Sequence, residues 1–312
     1  MRTTLLSTCL LLACAPLPAC LAATDARVLQ AGGTELRVEV VDVEDTARVA
    51  MLHRWIRETA NQATTASGRF PLRTAYVRVQ QIDSRDASPV PWGQTRREGQ
   101  AGVLLYVRRD ADYHALRSDW TAVHEFAHLF HPYLGERGRW LAEGLASYFQ
   151  NSLRARAGIL TQHEAWQRLD AGFRRGAAAT VDTPLDTVGR ARGGTMRVYW
   201  AGAAYWLQAD LSLRRQGTTL DAVLDGYARC CLRGTASVAP QDFISALDRI
   251  AGGDALSSLY RRHANARVFP SLDAAYNELG ISRDGSGLRF SRNADGTRLR
   301  AAIMGPQVGP GP

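Results

Sequence analysis

Two histidines four positions apart, His124 and His128, enclose Glu125 in the run Trp120-Thr121-Ala122-Val123-His124-Glu125-Phe126-Ala127-His128. On a helix, residues four apart share one face, one turn apart, so both imidazoles can reach a single ion. Glu125, beside the first His, projects toward the same pocket. A catalytic zinc site needs a third protein ligand and one open position. Fourteen residues separate His128 from Glu143, which lies in Trp140-Leu141-Ala142-Glu143-Gly144-Leu145-Ala146-Ser147-Tyr148. Pro132, Gly135 and Gly138 in between can end the first helix and turn the chain. A second helix over 139–154, antiparallel to the first, would present Glu143 to the same ion. His124, His128 and Glu143 are thus the expected ligands of one zinc ion per chain. Structural zinc sites are normally closed by four ligands, commonly with Cys, and that pattern is not found here.

H-E-x-x-H followed by W-L-x-E-G-x-A-x-Y resembles the gluzincin metallopeptidases. The match is closest to the M1/M61 aminopeptidase branch and its smaller peptidase MA-like relatives. The resemblance implies Glu143 as the third zinc ligand and Glu125 as general base. Tyr199-Trp200-Ala201-Gly202 is similar to the Y-x-K-G motif of these families. It implies Tyr199 as the hydroxyl that stabilises the oxyanion, with Ala201 in place of the Lys. The run from Leu211 to Asp221, with Arg214 and Leu220-Asp221, looks like the glycyl-aminopeptidase branch. In true aminopeptidases a G-x-M-E-N strand precedes the histidines, and its glutamate binds the substrate amine. Laying Gly102-Val103-Leu104-Leu105-Tyr106 on that strand puts Gly99 at the glutamate position, with Glu98 next door. A shift of one residue in a strand reverses the side chain. Cutting at a free N-terminus therefore does not follow, and internal cutting stays open. As an exposed edge, the same strand can pair with an extended peptide.

The elements that must position these residues fall into two sets. Residues 34 to 43 and 73 to 82 alternate as strands, 100 to 107 read as a third, and 44 to 66 have helical spacing, with Asp45 or Glu44 near the start. Ser88 to Gly93 reads as a Pro/Gly turn. From Ser118 the pattern is helical, with candidates at 119–131, 139–154, 161–174, 197–215, 218–232, 240–250 and 254–264. The expected fold is α+β, a thermolysin-like zincin. An α/β lobe over 23–118 precedes a mainly helical peptidase lobe over 119–280, with the active-site helix between them. Asn293-Ala294-Asp295-Gly296 suggests a hairpin turn within a C-terminal hairpin and tail over 281–312.

With 46% hydrophobic and 22% charged residues the chain has ordinary globular composition, which excludes wholesale disorder. Residues 1–22 have the layout of a signal peptide: Arg2, an apolar run from Leu5 to Leu17, then small residues. The run is too short to span a membrane. Export to the periplasm or outside the cell is the expectation. Cleavage after Ala22 would release a soluble protein. Leu17-Pro18-Ala19-Cys20 and Leu11-Leu12-Ala13-Cys14 each resemble a lipobox, so a lipid anchor, at Cys20 in particular, is the alternative. Cys230 and Cys231 read as two thiols on a helix, because adjacent cysteines rarely close on each other. The formal charge is +8, and every basic residue is Arg. The Arg pairs are scattered and no nucleic-acid motif accompanies them. They read as a solvated face, with attraction to acidic envelope lipids or anionic substrates as the functional reading.

The leading expectation is an exported zinc metallopeptidase acting on a peptide or protein substrate. The alternative is a peptidase-like envelope module that binds or chaperones without cutting. His131 reads as a supporting or surface residue. His53, His114, His163 and His263 read as structural or exposed. Trp140 should pack beneath the site, and Ser147 should either support a ligand or pack between helices.

Overall fold

The computed structural model describes residues 24–285 and 287–305. The proposed signal peptide with its lipobox cysteines, and the end of the C-terminal tail, lie outside the described residues. The chain runs β1 (Thr24–Ala31), β2 (Thr34–Val41), α1 (Thr46–Thr64), β3 (Thr74–Ile82), β4 (Trp92–Arg96), β5 (Gly102–Arg108), α2 (Tyr113–Ser118) and α3 (Thr121–Ala127). It continues through α4 (Arg139–Arg156), α5 (Gln162–Ala177), α6 (Thr195–Arg215), α7 (Leu220–Cys230), α8 (Pro240–Ala251), α9 (Ala255–Ala264) and α10 (Asp273–Leu279). It ends with β6 (Ile281–Asp284), β7 (Gly287–Phe290) and α11 (Ala294–Met304). The fold is α+β, with a mixed sheet followed by a helical C-terminal part.

The sheet order is β1-β2-β3-β5-β4, with the inner pairs parallel and both edge strands antiparallel to their neighbours. Register aligns Val38 with Val77 and Val103, and Val40 with Val79 and Leu105. These rows are buried on one face, against which α1 and α3 pack. The intervening residues face away, where the Tyr76 hydroxyl donates to Glu39 Oε2 at 2.5 Å. Alternation of this kind is the mark of a sheet covered on one side only. Asp45, rather than Glu44, caps α1, its carboxylate accepting from Ala47 N at 2.9 Å.

The helical part is built around α4, which is buried along most of its length. It lies against α6 at an unusually close approach. A Cβ at Gly202 would come 1.9 Å from the Trp140 carbonyl oxygen, and one at Gly144 would come 2.3 Å from the Gly202 carbonyl carbon. Only glycine at both positions lets the two backbones meet this way. Trp206 Nε1 donates to Leu141 O at 2.8 Å across the same seam. Below it, Asp210 of α6 accepts from the Tyr148 hydroxyl at 2.9 Å, from Arg214 Nε at 3.1 Å and from the amide of Leu220 at 3.1 Å. The Arg214 and Leu220-Asp221 run noted in the sequence therefore belongs to a buried network, which Arg156 joins through Asp221 at 3.0 Å.

Four readings need correction. Ser88 to Gly93 is not all turn: Trp92–Arg96 forms β4. Its WGQTR sequence has no apolar alternation because both faces of this short edge strand carry polar groups. In consequence β5 is an interior strand, paired with β3 and β4, and the exposed edge is β4. The terminal hairpin closes between Asp284 and Gly287, and Asn293 caps α11 instead, accepting from Gly296 N at 2.6 Å. Cys230 and Cys231 are joined as a disulfide rather than two thiols. Helix α7 stops at Cys230, and Cys231 leaves helical geometry at φ −136°, so the pair is free of the constraint a helix would impose. No helix among the described residues is long and apolar enough to cross a membrane.

Candidate active site

Helix α3 carries His124, and His128 follows directly as the first residue of a 3-10 turn over His128–Phe130 that continues the helix one turn further. His131, preceding Pro132, is extended at φ −135° and ψ 157°. The N-terminal end has no cap from Trp120, but Asp119 Oδ1 accepts from Thr121 N at 2.7 Å. After a tight loop with Gly135 at φ 65°, α4 begins at Arg139 and returns alongside α3. That return brings Glu143 Oε2 to 3.2 Å from His124 Nε2 and 3.6 Å from His128 Nε2. One ligand atom from each of His124, His128 and Glu143 falls within 4.8 Å of the others, a group that could hold a metal ion.

The hydrogen bonds behind the imidazoles decide what the cluster attracts. His124 Nδ1 lies 2.8 Å from Gln150 Oε1 and donates to it. His131 Nδ1 lies 2.6 Å from Pro132 O, and a carbonyl can only accept, so Nδ1 carries the proton. Burial first, then His128 and Arg97, push the His131 pKa well below its ordinary value, so the ring is neutral. Its Nε2 therefore accepts from His128 Nδ1 at 3.1 Å. These tautomers follow from the acceptors around each ring. Both histidines then turn an Nε2 lone pair toward a carboxylate oxygen. Three acceptors converge with no donor among them, an arrangement that fits a cation. The electrostatics show the same pull on positive charge, whether a proton or a metal ion. Burial opposes the charge on Glu143, but the two imidazoles outweigh it and hold the carboxyl well below the usual carboxylate range. Burial likewise lowers His124, yet Glu143, Glu125 and Gln150 raise it above the ordinary imidazole value.

Glu125 and Tyr199 both line the cavity at this cluster. The Thr95 hydroxyl donates to Glu125 Oε2 at 3.0 Å, and Gly93 passes so close that a Cβ there would lie 2.6 Å from Glu125 Cγ. Gly93 and Thr95 of β4 thus face the carboxylate. Tyr199, in the first turns of α6, stacks on His124 at 5.8 Å between centroids and 13° between planes. The Gly144–Gly202 approach sets this position, because it draws the start of α6 onto Glu143. Burial first, then Glu143, raises the Tyr199 pKa well above its ordinary value, so the phenol keeps its proton. All five expected site residues come together around one cleft or its floor, a cavity of about 980 Å³ lined also by Trp92, Gln94, Arg96, Tyr133 and Arg139.

Several supporting residues were not legible. Gln150 lies two turns beyond Glu143 on α4, a spacing that could have pointed to it. Gly93 is the last residue of the turn read from the sequence, and Thr95 falls in the unassigned stretch after it. Arg97 donates to His128 O at 2.6 Å and to Gly234 O at 3.0 Å, tying the end of α3 to a distant loop. Arg139 Nε lies 3.8 Å from Glu143 Oε1. With β4 as the edge strand, the amine-binding position cannot be read from Gly102–Tyr106. Strand β4 carries no carboxylate, and Glu98 lines the cleft just past its end. Ser147 is buried with its hydroxyl unpaired among the described residues, and packs between helices. Trp140 is buried, its ring near-parallel to those of Tyr260 and His263 on α9, with Tyr205 at its edge. His53 pairs with Asp25 at 2.6 Å, and His163 lies on Phe290, both away from the cluster.

No protein-family profile matches the sequence, and no curated protein matches it. Solved structures do match in fold. An aminopeptidase N family protein from Idiomarina loihiensis superposes with a TM-score of 0.61 at 16% identity, over 83% of this chain and 49% of that one. The M1 zinc metallopeptidase from Deinococcus radiodurans gives 0.50 at 16% identity, over 80% of this chain and 53% of that one. Yeast LTA4 hydrolase in complex with bestatin gives 0.52 at 12% identity, over 82% and 43%. The chain thus spans about half the length of these structures, and what it shares with these zinc peptidases of the M1, gluzincin type is the fold.

Proposed function

We propose that the chain is an exported zinc metallopeptidase. The observation that carries the reading is the convergence of three hydrogen-bond acceptors, His124 Nε2, His128 Nε2 and Glu143, beside Glu125 and a protonated Tyr199. His124, His128 and Glu143 would hold the ion, the ligand set of a catalytic zinc with a position left open. Zinc at such a site supplies Lewis acidity, acidifying a water and polarising the scissile carbonyl. Glu125, steadied by Thr95, is placed to accept the proton of the attacking water and deliver it to the leaving amine. The Tyr199 hydroxyl donates to the oxygen on which negative charge develops. The exposed edge of β4 beside Glu125 can align an extended peptide by main-chain pairing. A mutant of the Deinococcus enzyme, of similar fold at a TM-score of 0.51, is described as bound to a Tyr-Ser-Ala substrate, which supports a peptide as the substrate class.

Within this reading the architecture is thermolysin-like, with lobes over 23–118 and 119–280 and the site helix between them. Residues 1–22 direct export to the periplasm or beyond, as a soluble or a lipid-anchored protein. The test is cleavage of a mixed peptide library, free and N-blocked, by the zinc-loaded chain from residue 23, with Glu125→Gln as the blank and mass spectrometry as the readout. Cleavage absent from the blank supports the reading, and the blocked peptides separate internal from terminal cutting. If neither protein cuts although both hold zinc, the reading fails and the binding-module alternative takes its place.

A further inference from the structure

The cleft does not end at Glu98. A second cavity of about 1140 Å³ has Gly99, Arg69, Arg73, Arg229 and Arg233 in its wall, and Thr235 lines both cavities. Glu98 borders the first and Gly99 the second, so the two adjoin past the end of β4. Their charges differ. Around the first cavity Arg96, Arg97 and Arg139 are offset by Glu98, Glu125, Glu136 and Glu143. The second has four guanidinium groups. Arg69 and Arg229 share a single carboxylate, Asp225, with Arg229 Nη1 at 2.7 Å from it. Arg73 and Arg233 are exposed and have no ion pair among the described residues. Glu35 is the one carboxylate among the residues lining this cavity. A concavity of net positive charge attracts a ligand of the opposite sign.

Gly93, against Glu125, and Gly99 are six positions apart in the chain. At about 3.3 Å per extended residue, a peptide lying along this edge would enter the second cavity roughly four to six residues from the reacting bond. We propose that the substrate is an extended polypeptide carrying an acidic stretch at that distance from the bond cut, held by Arg73 and Arg233. This rests on the peptidase reading and names its substrate class.

The experiment uses the zinc-loaded chain from residue 23 and paired peptides of about twelve residues. These differ only in having Asp/Glu or Asn/Gln at positions four to six from the cleaved bond, on either side of it. Binding of the same peptides to Glu125→Gln is followed by fluorescence anisotropy as salt is raised. The expected result is a preference of about tenfold for the acidic member, in KM rather than kcat, falling below about threefold by 0.5 M salt. The double substitution of Arg73→Ala and Arg233→Ala should bring the ratio close to one. A ratio near one in the wild type, or one that the double substitution leaves in place, overturns the proposal. If the wild type cuts nothing but the acidic peptide still binds through Arg73 and Arg233, the groove stands and the peptidase reading fails. Cleavage that ignores the acidic stretch sinks the groove alone.

Discussion

The two walls of the cleft are built on opposite principles. The helical wall, α3, α4 and α6, holds its chemical groups by buried backbone contact: Gly144 against Gly202, Trp206 donating to Leu141, Gln150 behind His124. The strand wall is β4, five residues long, paired on one side only and ending in open polar loops, with Trp92 59% exposed. The difference teaches a division of labour. Groups that must stay fixed to a fraction of an ångström sit where packing leaves no freedom. Groups that must meet a variable polypeptide sit on an edge that keeps its main-chain donors and acceptors available. If that division is right, changes on the two walls should fail in different ways.

The largest effect is expected at Glu125, the one group that belongs to the helical wall but is steadied from the strand. Glu125→Gln should lower kcat by roughly 10³- to 10⁴-fold, because the amide cannot take the proton. Metal content, measured by atomic absorption, should stay at one ion per chain, since Glu125 is not among the three converging ligands. Loss of the ion together with activity would place Glu125 in the ligand set and overturn its assignment as base. Tyr199→Phe should cost roughly 10²- to 10³-fold in kcat with little change in KM, the loss of one oxyanion donor. Since Tyr199 holds its proton well above its ordinary range, its ionisation should not set the alkaline limb of the pH–rate profile. If Tyr199→Phe shifts that limb, the tyrosine titrates in the working range and its role as a standing donor is lost.

The same division explains what could be read from the chain. His124, His128 and Glu143 are legible because helix geometry converts spacing directly into facing, and the helices over 139–154, 161–174, 197–215 and 254–264 agree with α4, α5, α6 and α9 to within a few residues. The edge strand is not legible because nothing buries it on both sides. WGQTR has no apolar period, and β5 is the more hydrophobic candidate for the wall beside the site. Register compounds the difficulty: whether Gly93 and Thr95 or Trp92, Gln94 and Arg96 face Glu125 depends on pairing with β5, a non-local contact. His131, read from the sequence as a supporting or a surface residue, is the supporting one: it is buried against His128. Its three-residue offset from His128 resembles a fourth ligand, and only the extended backbone before Pro132 turns the ring to support His128 instead.

A pair of glycines separates the two walls directly. Gly202→Ala would drive a methyl group into the Trp140 carbonyl, 1.9 Å away, with backbone on both sides and no side chain able to yield. Overpacking of this kind costs about 3 kcal/mol, a fall in Tm on the order of 6–12 °C by differential scanning calorimetry. Gly93→Ala meets Glu125 Cγ at 2.6 Å and Thr121 Cγ2 at 2.9 Å, two buried side chains of α3 rather than backbone. Side chains can give way where the backbone at Gly202 cannot, so the cost should be nearer ~1 kcal/mol, a fall in Tm of about 2–4 °C. Activity should nevertheless fall about 100-fold, because Glu125 is displaced by roughly an ångström. Equal losses of stability in the two variants would show that β4 is as tightly bound into the fold as α6, and the distinction between the walls would collapse.

The smallest expected effect lies beneath the helical wall. His263 is buried against Trp140, its Nε2 3.0 Å from Gln208 Oε1. Burial first, then Arg262, lowers its pKa to about 4 from an ordinary 6.5. The sign follows from linkage. Between those values the unfolded chain binds a proton that the folded chain refuses, so stability is lost as pH falls from 6.5 toward 4. The full penalty at pH 4 is on the order of 2–3 kcal/mol. His263→Phe keeps a ring against Trp140 and removes the titration. The wild-type Tm should therefore drop several degrees more than that of His263→Phe between pH 7 and pH 4.5. No substitution on β4 should alter this acid sensitivity, because no buried histidine stands on that strand. Parallel pH curves for wild type and His263→Phe would move the acid-sensitive group elsewhere, with the buried His53 and His131, whose pKa values burial also lowers, as the next to test.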